Sequence, residues 1–148
     1  MLLGEYQLSL DDKGRLSVPA VLRASLRDLY APEDATLVVT KYFEYCLVIY
    51  PQPVWRDIET QLLELPNDPP SRAFVRQFCA SATACRLDRQ GRILVPAKLR
   101  QYAGLASEAL VIGMMRKLEV WSPERWNAYE NSAHAQFDTN PNLMGLKL

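Results

Sequence analysis

Metal-binding and redox side chains are scarce in this chain. Its one histidine, His134, has no second ligand at useful spacing, and its three cysteines, Cys46, Cys79 and Cys85, include no Cys-x-x-Cys pair. This excludes the common zinc patterns, and neither metal nor cofactor is expected. An odd cysteine count without a secretory leader fits reduced thiols in a cytoplasmic protein. No apolar stretch reaches the roughly 18 residues that suggest a membrane span. The six glycines form no phosphate-cradling loop, and the Gly-x-Ser-x-Gly elbow of esterases is missing, so no enzymatic activity is expected. Net charge is absent too: 17 basic residues balance 17 acidic ones, so any polyanion site must arise from local charge placement. Apolar material is plentiful, at 49% of 148 residues, enough for one domain or two small intertwined halves.

One stretch occurs twice. Leu10 to Arg23 reads LDDKGRLSVPAVLR and Leu87 to Arg100, 77 residues on, reads LDRQGRILVPAKLR, with 9 identities in 14 positions. In both copies Asp (Asp11, Asp88) and Gly (Gly14, Gly91) stand first and fourth in a four-residue segment, which predicts a type I turn. Arg15 or Arg92 follows, then a strand (Leu16-Ser17-Val18 or Ile93-Leu94-Val95), then a proline that stops the ladder and opens a helix. In the first helix Ala20, Leu22, Leu26 and Leu29 are expected to form the apolar stripe; the second carries Leu99, Tyr102 and Ala103 before Gly104 as its stop.

The order around the motif also repeats. Gly4 to Leu10 alternates like a half-buried strand, with the strand at Leu16 expected as its partner. Ala31-Pro32-Glu33-Asp34 reads as a loop, and Leu37-Val38-Val39 with Leu47 to Tyr50 as a hairpin. A helix opened by Pro51 and Pro53 carries Trp55, Ile58, Leu62 and Leu65 on one face. Pro66, Pro69 and Pro70 are expected to end it, and Ser71 to cap the next helix, with Phe74, Val75, Phe78, Cys79 and Ala82. Downstream, Leu110-Val111-Ile112 is matched to Leu37-Val38-Val39, and Leu118 to Trp121 to Leu47 to Tyr50. The Ser122-Pro123 helix, with Trp126, Tyr129, Ala133 and Phe137, answers the one carrying Trp55. The tryptophans read as packing residues rather than base-stacking platforms.

Arg15 and Arg92 have two readings: each can pin its own turn by pairing with Asp11 or Asp88, or meet a polyanion. The extra cation in each turn, Lys13 and Arg89, favours the second. Two basic loops can follow a phosphate backbone, and a guanidinium can read guanine O6 and N7. Arg23 and Arg100 are read as solvated or helix-supporting charges outside the site.

Asp-x-x-Gly-Arg followed by an apolar strand, Pro and a helix ending Leu-Arg resembles the AbrB/SpoVT/MazE swapped-hairpin DNA-binding unit. Two such units, with Gly4-Glu5-Tyr6, Leu47 to Pro51 and Leu118 to Trp121 around them, resemble the MraZ family over nearly the whole chain. The resemblance implies an α+β fold: two pseudo-symmetric AbrB-like β-β-α-β-β halves interlocked in a small β-barrel-like domain with outer helices. The divisions are 1–53 (first repeat), 54–80 (connecting helices), 81–126 (second repeat) and 127–148 (C-terminal helix and tail). It also implies a nucleoid-associated transcriptional regulator of the division and cell-wall gene cluster, including its own promoter. Such a protein binds short direct repeats in double-stranded DNA as a ring-shaped homo-oligomer, with no membrane partner. Lys13, Arg15, Arg89 and Arg92 would then contact DNA, and Asp11, Gly14, Asp88 and Gly91 would form the turns. An antitoxin-like or scaffold interaction protein of the same superfamily is the alternative; such chains usually carry one motif and a disordered tail. The family often has a basic residue where this chain has Leu2 and Leu3.

Overall fold

The computed structural model describes residues 1–30 and 35–148, so the loop expected at 31–34 lies outside the described residues. The first half runs β1 (Glu5–Ser9), β2 (Arg15–Ser17), α1 (Ala20–Leu29), β3 (Thr36–Lys41) and β4 (Leu47–Pro51), with a 3-10 turn at Phe43–Tyr45. Helices α2 (Gln52–Leu63) and α3 (Pro69–Ser81) lead to the second half: β5 (Thr83–Arg86), β6 (Arg92–Leu94), α4 (Ala97–Ala103), β7 (Glu108–Met114) and β8 (Lys117–Trp121). Then come α5 (Pro123–Ala133), a 3-10 turn at His134–Gln136 and α6 (Pro141–Met144). The architecture is α+β, and each half has the order β-β-α-β-β.

The strands form a six-stranded antiparallel sheet, ordered β1-β7-β8-β4-β3-β5, and a two-stranded ribbon, β2-β6. The sheet has β1 and β5 as its ends and the ribbon is separate, so among the described residues there is no closed barrel, contrary to the barrel-like expectation. The sheet order reads the same from either end once β1 is equated with β5, β3 with β7 and β4 with β8. Both central pairings join one half to the other: Leu16 faces Ile93 in the ribbon, and Val48 faces Glu119 between β4 and β8. A pseudo-two-fold axis therefore passes through both pairs.

Two sequence expectations change here. The partner of β1 is β7, in register from Glu5↔Ile112 to Ser9↔Glu108, and only the isolated bridge Leu10↔Leu16 links it to the strand at Leu16. The three residues of β2 are taken up by β6, leaving β1 to extend the sheet. The match of Leu110 to Leu37 is also one residue out. Val38 pairs with Tyr50 and Leu110 with Trp121; since Tyr50 and Trp121 are equivalent, Leu110 corresponds to Val38. The cause is loop length. Two residues, Met115 and Arg116, join β7 to β8, whereas Phe43-Glu44-Tyr45 lie inside the pair closed by Tyr42 N–H donating to Cys46 O at 2.9 Å.

Both faces of the sheet are covered, which is why all five residues of β4 are buried instead of alternating. One face (Leu37, Val39, Leu47, Ile49, Ala109, Val111, Leu118, Val120) packs with Leu16, Val18, Ile93 and Val95 of the ribbon segments, Leu22 and Leu26 of α1 and Leu99 and Ala103 of α4. Leu2 joins this core, fully buried, so its apolar character serves packing. On the opposite face Val38, Val48 and Tyr50 meet Val54, Trp55 and Phe78 of α2 and α3, while Cys46, Leu110 and Trp121 meet Trp126 of α5. Trp55 lies against Tyr50, centroids 6.1 Å apart, as Trp126 lies against Trp121 at 5.2 Å, so the expected equivalence of the two tryptophans holds.

Helix ends depart from the sequence reading in detail. Asp68, not Ser71, caps α3, its Oδ1 accepting from Ser71 N–H at 2.9 Å. Pro69 and Pro70 belong to the first turn of α3, where a missing N–H costs nothing, rather than terminating α2. In α1 only Leu22 and Leu26 are buried; Leu29 is exposed. Phe137 lies beyond α5 and is exposed. Ser122 caps α5, as the sequence indicates.

Candidate functional site

The two motif turns are built alike. Gly14 N–H donates to Asp11 O and Gly91 N–H to Asp88 O, both at 3.0 Å, and Asp11 and Asp88 N–H donate to Arg15 O and Arg92 O at 3.1 and 2.8 Å. Each Asp side chain then fills the loop it starts. Asp11 Oδ1 accepts from Arg15 N–H at 2.8 Å and Lys13 N–H at 3.1 Å; Asp88 Oδ1 accepts from Arg92 N–H at 2.9 Å and Gln90 N–H at 2.8 Å. These bonds favour the charged carboxylate. The Arg15 amide, followed by its guanidinium and the Lys13 amide, holds Asp11 below the usual carboxylate value; the Arg92 amide, its guanidinium and the Gln90 amide do so for Asp88.

The second carboxylate oxygen orients the arginine. Arg15 Nε donates to Asp11 Oδ2 at 2.6 Å and Arg92 Nε to Asp88 Oδ2 at 2.9 Å, while Arg92 Nη1 stands 4.0 Å from Asp11 Oδ2 across the ribbon. Each guanidinium is thus held through Nε, and its Nη groups carry further donors that can fork onto a phosphate or a base edge. The structural pairing and the polyanion contact are thus compatible. About a third of Arg15 and a quarter of Arg92 remain accessible.

The ribbon turns two of the four predicted cations, Arg15 and Arg92, to one face. With Leu16 and Ile93 in the core, strand alternation turns Arg15, Ser17, Arg92 and Leu94 outward. The register sets Arg15 across from Leu94 and Arg92 across from Ser17, so the arginines lie on a diagonal. Val95 N–H donates to Gly14 O at 2.8 Å and Val18 N–H to Gly91 O at 2.9 Å, which puts the turns at opposite ends of the ribbon. At ~3.4 Å per residue they stand about 14 Å apart. Lys13 and Arg89 are exposed at those ends, but not at equivalent positions: Lys13 corresponds to Gln90, and Arg89 to Asp12. Four cations share the site with Asp11, Asp12 and Asp88, so the local surplus of positive charge is small.

Two further arginines belong to this construction. A Cβ at Gly14 would lie 2.6 Å from Arg100 Nε, and one at Gly91 2.8 Å from an Arg23 Nη. Each motif's helix thus sends its arginine under the turn of the other copy, where only glycine leaves room. Arg100 Nε donates to Val95 O at 3.1 Å, and Arg23 Nε is buried with no hydrogen-bond partner among the described residues. They are half-buried, which corrects their reading as solvated charges. Their identity in both copies was the available signal.

A family model described as "MraZ protein, putative antitoxin-like" matches residues 1–77 and again 78–145. The transcriptional regulator MraZ of Desulforamulus reducens is 44% identical over 139 residues, spanning 93% of this chain and 93% of its own. That of Moorella thermoacetica is 42% identical over 139 residues (93% and 92%), and that of Alkaliphilus metalliredigens 40% identical over 145 (97% and 96%). Among solved structures, the solution structure of PHS018 from Pyrococcus horikoshii covers 81% of this chain and 88% of its own, with 16% identity and a TM-score of 0.30.

Proposed function

The chain belongs to the MraZ family, and from that premise we propose that it is a transcriptional regulator, not an enzyme, that binds double-stranded DNA through the β2-β6 ribbon. The observation that carries this reading is the pair Arg15 and Arg92 on the outward ribbon face, each held through Nε by the Asp of its own turn. Lys13 and Arg89 flank them and would meet phosphates, while the arginines would reach base edges. Asp11, Gly14, Asp88 and Gly91 shape the turns that present them. The pairing of β2 with β6 and of β4 with β8 supports treating the repeats, 1–53 and 81–126, as one AbrB-like unit, joined by 54–80 and followed by 127–148.

The small surplus of positive charge at the ribbon favours many weak sites acting together. We assign a ring-shaped homo-oligomer gripping short direct repeats in the promoter of the division and cell-wall cluster, its own gene included, in the cytoplasm at the nucleoid. Linking sites by subunit contacts raises avidity by about 10²–10⁴ over one repeat. Among the described residues no helix is long and apolar enough to cross a membrane.

The test is a fluorescence titration with the duplex upstream of the gene against a scrambled duplex, over a range of salt. Wild type should prefer the upstream duplex, and log affinity should fall with log salt by about 0.9 per phosphate neutralised. Arg15→Ala and Arg92→Ala should each lose about 1–3 kcal/mol of preference, whereas Lys13→Ala should weaken both duplexes alike. Unaltered binding by folded Arg15→Ala and Arg92→Ala proteins would overturn the assignment. The antitoxin-like reading suggested by the family description predicts instead a stable complex with a protein partner and no preference for the upstream duplex.

A further inference from the structure

The outward ribbon face is two-fold symmetric on one diagonal and not on the other. Arg15 corresponds to Arg92, 77 residues on, but Ser17 corresponds to Leu94. Leu94 is 55% exposed and belongs to none of the three apolar clusters, while its neighbours in sequence, Ile93 and Val95, are at most 1% exposed. It stands directly across from Arg15, where facing residues have Cβ atoms about 4.5–5.5 Å apart. A leucine therefore stands beside one of the two arginines, and a serine beside the other.

Resting on the DNA-binding reading above, we propose that Leu94 is a specificity residue that packs on a thymine C5-methyl beside the base met by Arg15. Thymine is the base that presents an apolar group at the major-groove edge, and leucine can make no hydrogen bond in its place. Ser17, beside Arg92, makes no such demand because a hydroxyl can meet donors or acceptors of any base pair. The ribbon face thus reads its two ends differently. A site without inversion symmetry follows, which fits direct repeats better than palindromes, since a face alike at both ends would accept either orientation.

The test replaces each thymine of the upstream duplex, one at a time, by deoxyuridine, which removes the methyl and leaves every hydrogen-bonding group in place. At one thymine per repeat, wild-type affinity should fall about fourfold, the value for one buried methyl-sized group. Leu94→Ala should bind the unmodified duplex more weakly and be indifferent to that same substitution, as should Leu94→Ser, which restores symmetry to the face. Light scattering on both variants should give the wild-type subunit number. The inference falls if no thymine methyl matters to wild type, if the variants remain as sensitive as wild type, or if they change the assembly, which would make Leu94 a contact between copies. In those cases Arg15-dependent binding would leave the DNA reading standing. Absence of any preference of wild type for the upstream duplex would remove both.

Discussion

The two motif glycines are equivalent in sequence, yet alanine should not cost the same at both. Gly14 has φ +86° and Gly91 φ +75°, so any L side chain meets backbone strain of about 1–3 kcal/mol at either position. At Gly91 the three atoms nearest the added Cβ all belong to the Arg23 side chain, at 2.8–2.9 Å, and a long side chain can move. At Gly14 it would also lie 2.8 Å from the carbonyl oxygen of Val95, which is fixed in the crossing between the two motifs. Overpacking against such a group adds about 1–3 kcal/mol. Gly91→Ala should therefore cost about 1–3 kcal/mol and Gly14→Ala about 2–6 kcal/mol. At about 3 °C per kcal/mol for a chain of this size, the melting temperatures should fall by about 3–9 °C and 6–18 °C. Thermal and urea unfolding followed by circular dichroism would measure both. Adding Arg100→Ala should relieve part of the Gly14→Ala loss and leave the part due to Val95. Equal losses at the two positions, or a larger one at Gly91, would refute the reasoning.

The turn carboxylates should show in the acid limb of stability. Asp11 and Asp88 lie below the ordinary value of 3.8 in the folded chain, so their contribution is complete above that value and lost as pH falls from it through the depressed folded values. Asp11→Asn with Asp88→Asn should flatten this limb below about pH 4 in urea titrations, and an unchanged slope would count against the turn geometry. Because Arg23 and Arg100 support opposite turns, Arg23→Ala should speed hydrogen exchange at the Gly91 amide and Arg100→Ala at the Gly14 amide, each measured by NMR; acceleration within the variant's own motif would contradict the crossing. Phe78 stacks on Trp55 at 5.5 Å and Phe74 at 5.3 Å and meets Tyr50 edge-on at 6.3 Å. Phe78→Ala should cost about 3–5 kcal/mol in urea unfolding, and a loss under about 1 kcal/mol would mean that α3 is not packed as described.

Local chemistry was legible in the sequence and long-range pairing was not. Asp11, Gly14 and their counterparts announce turns because the interactions that close them span four residues. The helix stop at Gly104 is equally local: the glycine adopts the left-handed cap. The partner of β1, by contrast, lies about a hundred residues away in β7, and nothing in its alternation distinguishes that strand from β2. The misplaced match of Leu110 to Leu37 shows why letters mislead. A slip of one residue exchanges the faces of a strand, and that match would equate Val38, which packs under α2 and α3, with Val111, which packs under the ribbon. The place of Arg15 and Arg92 at the junction of turn and strand was legible from the residues before them. The burial of Arg23 and Arg100 was not, because it depends on one copy crossing over the other.

That crossing also brings Arg15 and Arg92 to one face of a chain with zero net charge. The pseudo-two-fold axis runs between Leu16 and Ile93, so whatever the motif carries outward is brought together twice on one surface, without any excess of lysine and arginine elsewhere. Duplication alone would give a face alike at both ends. Three of the five departures from identity lie in the outward positions of that face: Lys13 against Gln90, Asp12 against Arg89, Ser17 against Leu94. The inward ones, Leu16 against Ile93 and Val18 against Val95, remain apolar and buried. Packing constrains the inward set because both copies fill one core, and a change of volume there is felt by both. The outward set is free of that constraint, so the symmetric frame can hold the two arginines in fixed relation while the residues beside them give the surface a direction.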